Sequence, residues 1–189
     1  TVQVDGVRTI PVEAVTERAA VAPGTPLLQV DTHAVARRVA GIPRVDEVTV
    51  TRDYPSGLRI ELIERTALVV VEVDGAQHLV DGQGIDFGQG EPPPGTPTLT
   101  VGQDARADLP GIVRDLATVF AEVRVTAGQE IAAVAVPTPA SIVLTLADGR
   151  IIEWGAAGRD HEKAVALQMV LEQPGQTWNV SNPALPASR

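Results

Sequence analysis

Residues 42–64 read I-P-R-V-D-E-V-T-V-T-R-D-Y-P-S-G-L-R-I-E-L-I-E, and no other stretch narrows the possible folds as much. Val48 and Val50 alternate with Thr49 and Thr51, and Leu58, Ile60 and Leu62 alternate with Arg59, Glu61 and Ile63. Alternation with period two marks strands with one buried face. Between the runs, Asp53-Tyr54-Pro55-Ser56-Gly57 supplies turn chemistry, because proline fixes φ and glycine permits positive φ. The stretch predicts a β-hairpin with Val50 and Ile60 buried across from each other. It carries no catalytic motif, which points toward a scaffold or a binding module.

Two helices are predicted before the hairpin. Pro11 suits the first turn of one, with Val12, Val15 and Ala19 on a shared face. Asp31 caps the other, with Val35 and Val39 at i, i+4, and Gly41 and Pro43 stop it. Leu27–Val30 is a short apolar link, and Val2–Val4 is a strand ending at Asp5-Gly6. The first body is therefore β-α-α-β-β. Residues 1–66 hold 8 basic and 9 acidic side chains, net −1; residues 67–189 hold 7 and 15, net −8. This charge shift, with the alternation complete at Leu62, places a domain junction at Glu64-Arg65-Thr66. The expected division is a first domain over 1–66, a mixed β domain over 67–182, and a disordered tail over 183–189.

In the second body, Asp74-Gly75 between apolar runs signals a hairpin. Short strands are expected at 67–73, 78–80, 85–87, 98–101, 131–136, 141–146, 150–154 and 177–180. Residues 88–97 form a Gly/Pro-rich surface loop. A helix starting near Asp108 carries Leu109, Ile112, Val113, Leu116, Val119, Phe120 and Val123 on one stripe. A last helix, capped by Asp160 and running to about Gln173, turns Ala164, Leu167 and Leu171 inward. The fold class is α+β.

Composition excludes several chemistries. The net charge of −9 disfavours nucleic acid and anionic lipid, whose phosphates call for clustered Lys and Arg. With no cysteine there is neither a disulfide nor a thiolate metal site. His33, His78 and His161 share no metal-ligand spacing. Ser56, Ser141, Ser181 and Ser188 lie in no nucleophile motif. The pairs Asp46/Glu47 and Glu61/Glu64 read as solvated strand faces, and Gly82-x-Gly84 and Gly88-x-Gly90 as turns. No catalytic residue, metal or cofactor is expected. No apolar run reaches the ~20 residues that cross a bilayer, and no signal peptide is evident. The abrupt start at Thr1 suggests an excised fragment.

Trp154 and Trp178 stand out in a chain with 3% aromatics. They suit either a core sheet face or an interface anchor. As the last strand, Thr177, Trp178, Asn179, Val180 and Ser181 can form an open edge, and an open edge accepts an extended partner segment through main-chain hydrogen bonds. Arg150, Trp154 and Gly155, on the expected neighbouring strand, could line the same surface.

Several segments together resemble one family. These are V-x-V-D-G-V at Val2–Val7, G-T-P-L-L-Q-V-D at 24–31, and Pro43, Val45, Val48, Val50, Arg52, Tyr54 and Pro55. Leu58, Ile60, Leu62, Glu64, Arg65 and Ala67 follow, then L-V-D-x-x-G-x-x-F at 79–87. The combination resembles the extracytoplasmic part of the bacterial division family FtsQ, also called DivIB, of actinobacterial type. A looser match continues through Gly155, Lys163 and Leu167. The resemblance implies a POTRA (polypeptide-transport-associated) domain followed by a mixed β domain with packed helices. It implies a non-enzymatic scaffold that binds FtsB and FtsL, with FtsW and the septal synthase as further candidates. It also implies a place at the septum, outside the plasma membrane, with an N-terminal transmembrane helix that this chain lacks. It puts the partner on the terminal strand region. The alternative readings are a POTRA-bearing part of an outer-membrane assembly or secretion system, which should show repeats or barrel strands, and a cell-wall enzyme using a carboxylate pair.

Overall fold

The computed structural model describes residues 1–73 and 75–188. The chain divides into two compact units, Thr1–Arg65 and Thr66–Arg189.

The first unit contains β1 (Val2–Asp5), α1 (Val12–Ala19), α2 (Thr32–Ala40), β2 (Val45–Asp53) and β3 (Gly57–Glu64). The hairpin forms as its alternation requires, with Val50 opposite Ile60 and Val48 opposite Leu62. β3 is the central strand, because β1 pairs with it in parallel on its other side. Centrality decides burial: Ile60 is fully buried, while Val50 on the outer strand β2 is only half-buried. Val15, Ala19, Val35 and Val39 from the helices close the core over Leu58, Ile60 and Leu62. Pro11 occupies the cap position of α1 rather than its first turn. Asp31 caps α2 by accepting from Ala34 N at 2.9 Å. The apolar link is a 3-10 turn, Leu27–Gln29, and Arg52 donates to Leu27 O at 3.1 Å and Val30 O at 2.8 Å to hold it. At Gly6 φ is +87°, and a Cβ there would lie 1.9 Å from Leu62 O, so position 6 admits no side chain.

Glu64 and Arg65 close this unit. Glu61 is exposed as expected of a solvated strand face, but Glu64 is not part of one: it is 5% exposed, because residues 8–10 fold over it. Its carboxylate accepts from Arg8 N at 2.5 Å, Thr9 N at 2.8 Å, Thr9 Oγ1 at 2.6 Å and Ile10 N at 3.1 Å. Burial pushes this carboxyl up, but the hydrogen bonds outweigh it and hold its pKa at about 2. Arg65 donates to Pro43 O at 3.2 Å and pairs with Asp46 at 3.1 Å.

The second unit contains β4 (Ala67–Val73), β5 (Ala76–Asp81), β6 (Asp86–Gln89), β7 (Thr98–Val101), α3 (Leu109–Ala127), β8 (Ile131–Thr138), β9 (Ser141–Leu146), β10 (Ile151–Gly155), α4 (Asp160–Val170), β11 (Thr177–Asn179) and β12 (Ala187–Ser188). They build one nine-stranded sheet in the order β12-β11-β10-β9-β8-β7-β4-β5-β6. α3 is the crossover between parallel β7 and β8, and α4 the crossover between parallel β10 and β11. The two helices pack against each other, and their apolar stripes meet Leu99, Val134, Leu144, Ile152 and Trp154. Asp108 caps α3, accepting from Gly111 N at 3.1 Å.

Expectations in the second unit need correction as well. Asp160 is the first residue of α4 and not its cap; Arg159, in the left-handed region, holds that position, and the helix ends at Val170. The Asp160 carboxylate turns back instead and accepts from Trp154 Nε1 and Gly158 N. Residues 183–188, expected to be disordered, return along the sheet and supply β12, because Asn182 nucleates a turn through Ala184 N and Leu185 N.

Candidate partner-binding edge

β11 sets the geometry of the candidate site. Ile151 N donates to Gln176 O and Val180 N to Glu153 O, at 2.9 and 3.0 Å. Main-chain groups alternate sides along a strand, so the polar groups of Thr177 and Asn179 face away from β10. They face β12, which pairs with β11 through Trp178↔Ser188 and Asn179↔Ala187.

The structure separates the predicted site residues into three groups. Trp154, Trp178 and Val180 are core residues, at 0%, 4% and 0% exposure, so none is a surface anchor. Their apolar bulk faces the helices, which is the stronger demand in an aromatic-poor chain. Trp154 Nε1 donates to Asp160 at 2.9 Å, and the Lys163 ammonium lies 5.8 Å from the centre of its ring. Lys163 is itself buried and donates to Ala156 O at 2.5 Å; burial pushes its pKa down, and Asp160 opposes that. Trp178 Nε1 is buried with no acceptor among the described residues.

Arg150 forms the second group. It bonds Asp148 at 2.7 Å and Leu171 O at 3.1 Å, fastening the β9–β10 turn to the end of α4. The Arg150 hydrogen bonds hold the Asp148 carboxyl below its usual range. Arg150 therefore sits by the start of β11, away from Ser181.

Gly155, Asn179 and Ser181 form the third group and do converge. With Ser141, Val143 and Glu153 they line a shallow hollow of about 460 Å³ on the sheet face opposite Trp178. Asn179 donates to Glu153 at 2.7 Å and accepts from Ser181 N and Oγ at 3.0 and 2.6 Å. Gly155 has φ +78°, and a Cβ there would come within 2.8 Å of the Ser181 Cβ. Glu153 was not singled out from the sequence, although its alternation with Ile152 and Trp154 puts it on this face. Ala187 and Ser188, both exposed, were missed as well; a two-residue strand behind Pro186 has no periodicity to detect.

The remaining titratable groups do not converge on this edge. His161 bonds Glu122 at 3.0 Å between α4 and α3, and that hydrogen bond lowers the Glu122 pKa. His78 bonds Asp86 at 2.7 Å between β5 and β6. Among the described residues, no group of three His, Asp or Glu side chains is placed to hold a metal, and no helix is long and apolar enough to cross a membrane.

A small β-α-α-β-β unit followed by a broad mixed sheet with packed helices is the architecture of a POTRA domain joined to a mixed β domain. The family model described as POTRA domain, FtsQ-type matches residues 1–65. The cell division protein FtsQ of Corynebacterium glutamicum is 31% identical over 97% of this chain and 83% of its own length. The Streptomyces collinus protein of the same name is 33% identical over 99% of the chain and 76% of its own length. The Mycolicibacterium smegmatis protein is 46% identical over 98% of the chain and 55% of its own length. The chain belongs to the FtsQ family of cell division proteins. It spans about half the length of the mycobacterial relatives it matches.

Proposed function

We propose that the chain is a non-enzymatic divisome scaffold outside the cytoplasm, whose β11–β12 sheet end receives an extended segment of an FtsB- or FtsL-type protein. Through that contact it couples early and late septum assembly to peptidoglycan synthesis, with FtsW and the septal synthase further along the same assembly. An N-terminal transmembrane helix outside this chain holds it at the septal membrane. The observation that carries the reading is the form of the sheet end: β11, anchored in the core by Trp178, carries among the described residues a two-residue, exposed strand, β12, beside the hollow at Glu153, Asn179 and Ser181. Strand addition uses such an edge for affinity and neighbouring side-chain pockets for specificity.

Val180→Pro is a poor test, since its N–H bonds β10. Asn179→Pro removes a donor that faces outward. It is expected to weaken binding of an FtsB extracytoplasmic fragment at least about tenfold, the worth of a buried hydrogen bond or two. Asn179→Ala, which keeps the main chain but removes the side chain from the hollow, should weaken binding less than Asn179→Pro and so separates the two contributions. Unchanged affinity in a folded Asn179→Pro protein, judged by its tryptophan fluorescence, would move the binding surface elsewhere.

A further inference from the structure

The same sheet end carries two strands of unequal quality. β11 is built in: Trp178 and Val180 lie in the core, Val180 N bonds Glu153 O, and the Asn179 side chain bonds Glu153. β12 rests on it through two residue pairs. Residues 182–188 read N-P-A-L-P-A-S and carry no charge, so no ion pair pins them. Among the described residues, the hydrogen bonds of the preceding turn, Leu185 N to Asn182 O and Ala184 N to Asn182 Oδ1, stay within the tail. Leu185, its one large apolar side chain, is 77% exposed.

The preceding turn also keeps β12 short. Main-chain groups alternate sides, so the next donor toward β11 after Ala187 is Leu185 N, and it bonds Asn182 O instead. A segment that continues along β11 past Asn179 could add the ladder bonds that this turn forgoes. A short strand held mainly by its ladder bonds belongs to the low-stability end of a structure's opening equilibria. It also shields β11 from unwanted edge pairing.

We infer that β12 is a self-supplied strap that occupies the partner's place on β11 and leaves when the partner pairs, which deepens the strand addition proposed above and rests on it. The strap lowers the apparent affinity by the fraction of time it is closed. It would also reject segments too short or too proline-rich to outcompete it.

The chain has no cysteine, which makes a clean lock possible. Asn179→Cys with Ala187→Cys places the two thiols across one residue pair. Directly opposed residues in an antiparallel ladder lie about 4.5–5.5 Å apart, within disulfide range. Three comparisons use the FtsB extracytoplasmic fragment as probe: parent protein, protein ending after Asn182, and the double-cysteine protein oxidised against reduced. The shortened protein is expected to bind about tenfold tighter, and the oxidised lock at least about tenfold weaker than the same protein reduced. Comparing one variant in two redox states cancels the loss of the Asn179 side chain. It also decides the matter alone if the shortened protein fails to fold. Abolished binding on shortening, with no effect of the lock, would put the partner on the outer side of β12; the strap is then wrong while strand addition stands. No effect of either change would overturn both.

Discussion

Replacing Glu64 tests how the first unit is held closed. Its carboxylate gathers three main-chain N–H groups and the Thr9 hydroxyl, and ties residues 8–10 to the end of β3. The depression of its pKa from 4.5 to about 2 corresponds to about 3 kcal/mol favouring the folded, ionised form. A folded pKa below the unfolded one contributes stability that is complete above the unfolded value and disappears as pH falls through the folded one. The contribution should thus be full at neutral pH, begin to fall below about pH 5, and have lost about 2 kcal/mol by pH 3. Glu64→Ala should cost the first unit about 3 kcal/mol at pH 7, and Glu64→Gln less, because it keeps one acceptor oxygen. Both tryptophans lie in the second unit, so their fluorescence during urea unfolding serves as an internal control that should not move. The first unit is followed by amide hydrogen exchange of β3, with urea as the variable, at pH 7 and at low pH. The reasoning fails if Glu64→Ala leaves β3 protection within ~0.5 kcal/mol of the parent. It also fails if the variant keeps the parent's full loss of stability below pH 5.

Three further outcomes are expected. Ile60→Ala, at the fully buried centre of β3, should cost about 2–5 kcal/mol, and β3 exchange protection checks it; a loss below ~1 kcal/mol would contradict the packing. Gly155→Ala imposes a side chain at φ +78° against Ser181 and should destabilise the second unit by about 1–3 kcal/mol in a tryptophan-monitored melt, with an unchanged midpoint counting against the geometry. Protein purified without added metal should contain no stoichiometric zinc by elemental analysis. Zinc that is present and lost in His78→Ala would show a site that the separated histidines do not suggest.

Much of the fold is legible in the sequence where one periodicity dominates. Val48 to Leu62 announces its register because a one-residue slip would turn Ile60 and Leu62 to solvent. The stripe from Ile112 to Val123 announces α3 because six buried positions repeat at helical spacing. Legibility fails where tertiary partners decide. Asp160 has the chemistry of a cap, yet Trp154 Nε1 and Gly158 N claim its carboxylate. Val50 alternates as regularly as Ile60, but its exposure depends on β1 joining the far side of β3. At the candidate site, the position of Thr177–Asn179 near the end of the sheet is readable from chain order. The burial of Trp178 and the two-residue cover by Ala187 and Ser188 are not, since neither produces a pattern along the chain. The Glu64-Arg65 pair is readable in the sequence only as part of a motif; the structure supplies its physical role, a carboxylate holding 8–10 and a guanidinium holding Pro43 and Asp46.

Binding of the partner at the β11–β12 end of the nine-stranded sheet, as proposed, has a direct signature. Amide hydrogen exchange of the chain with and without a saturating FtsB extracytoplasmic fragment tests it most directly. Protection should increase at Thr177, Asn179 and Ser181, with exchange unchanged along the other edge strands, β1, β2 and β6. Protection that appears on β1, β2 or β6 and leaves residues 177–181 untouched would place the partner elsewhere.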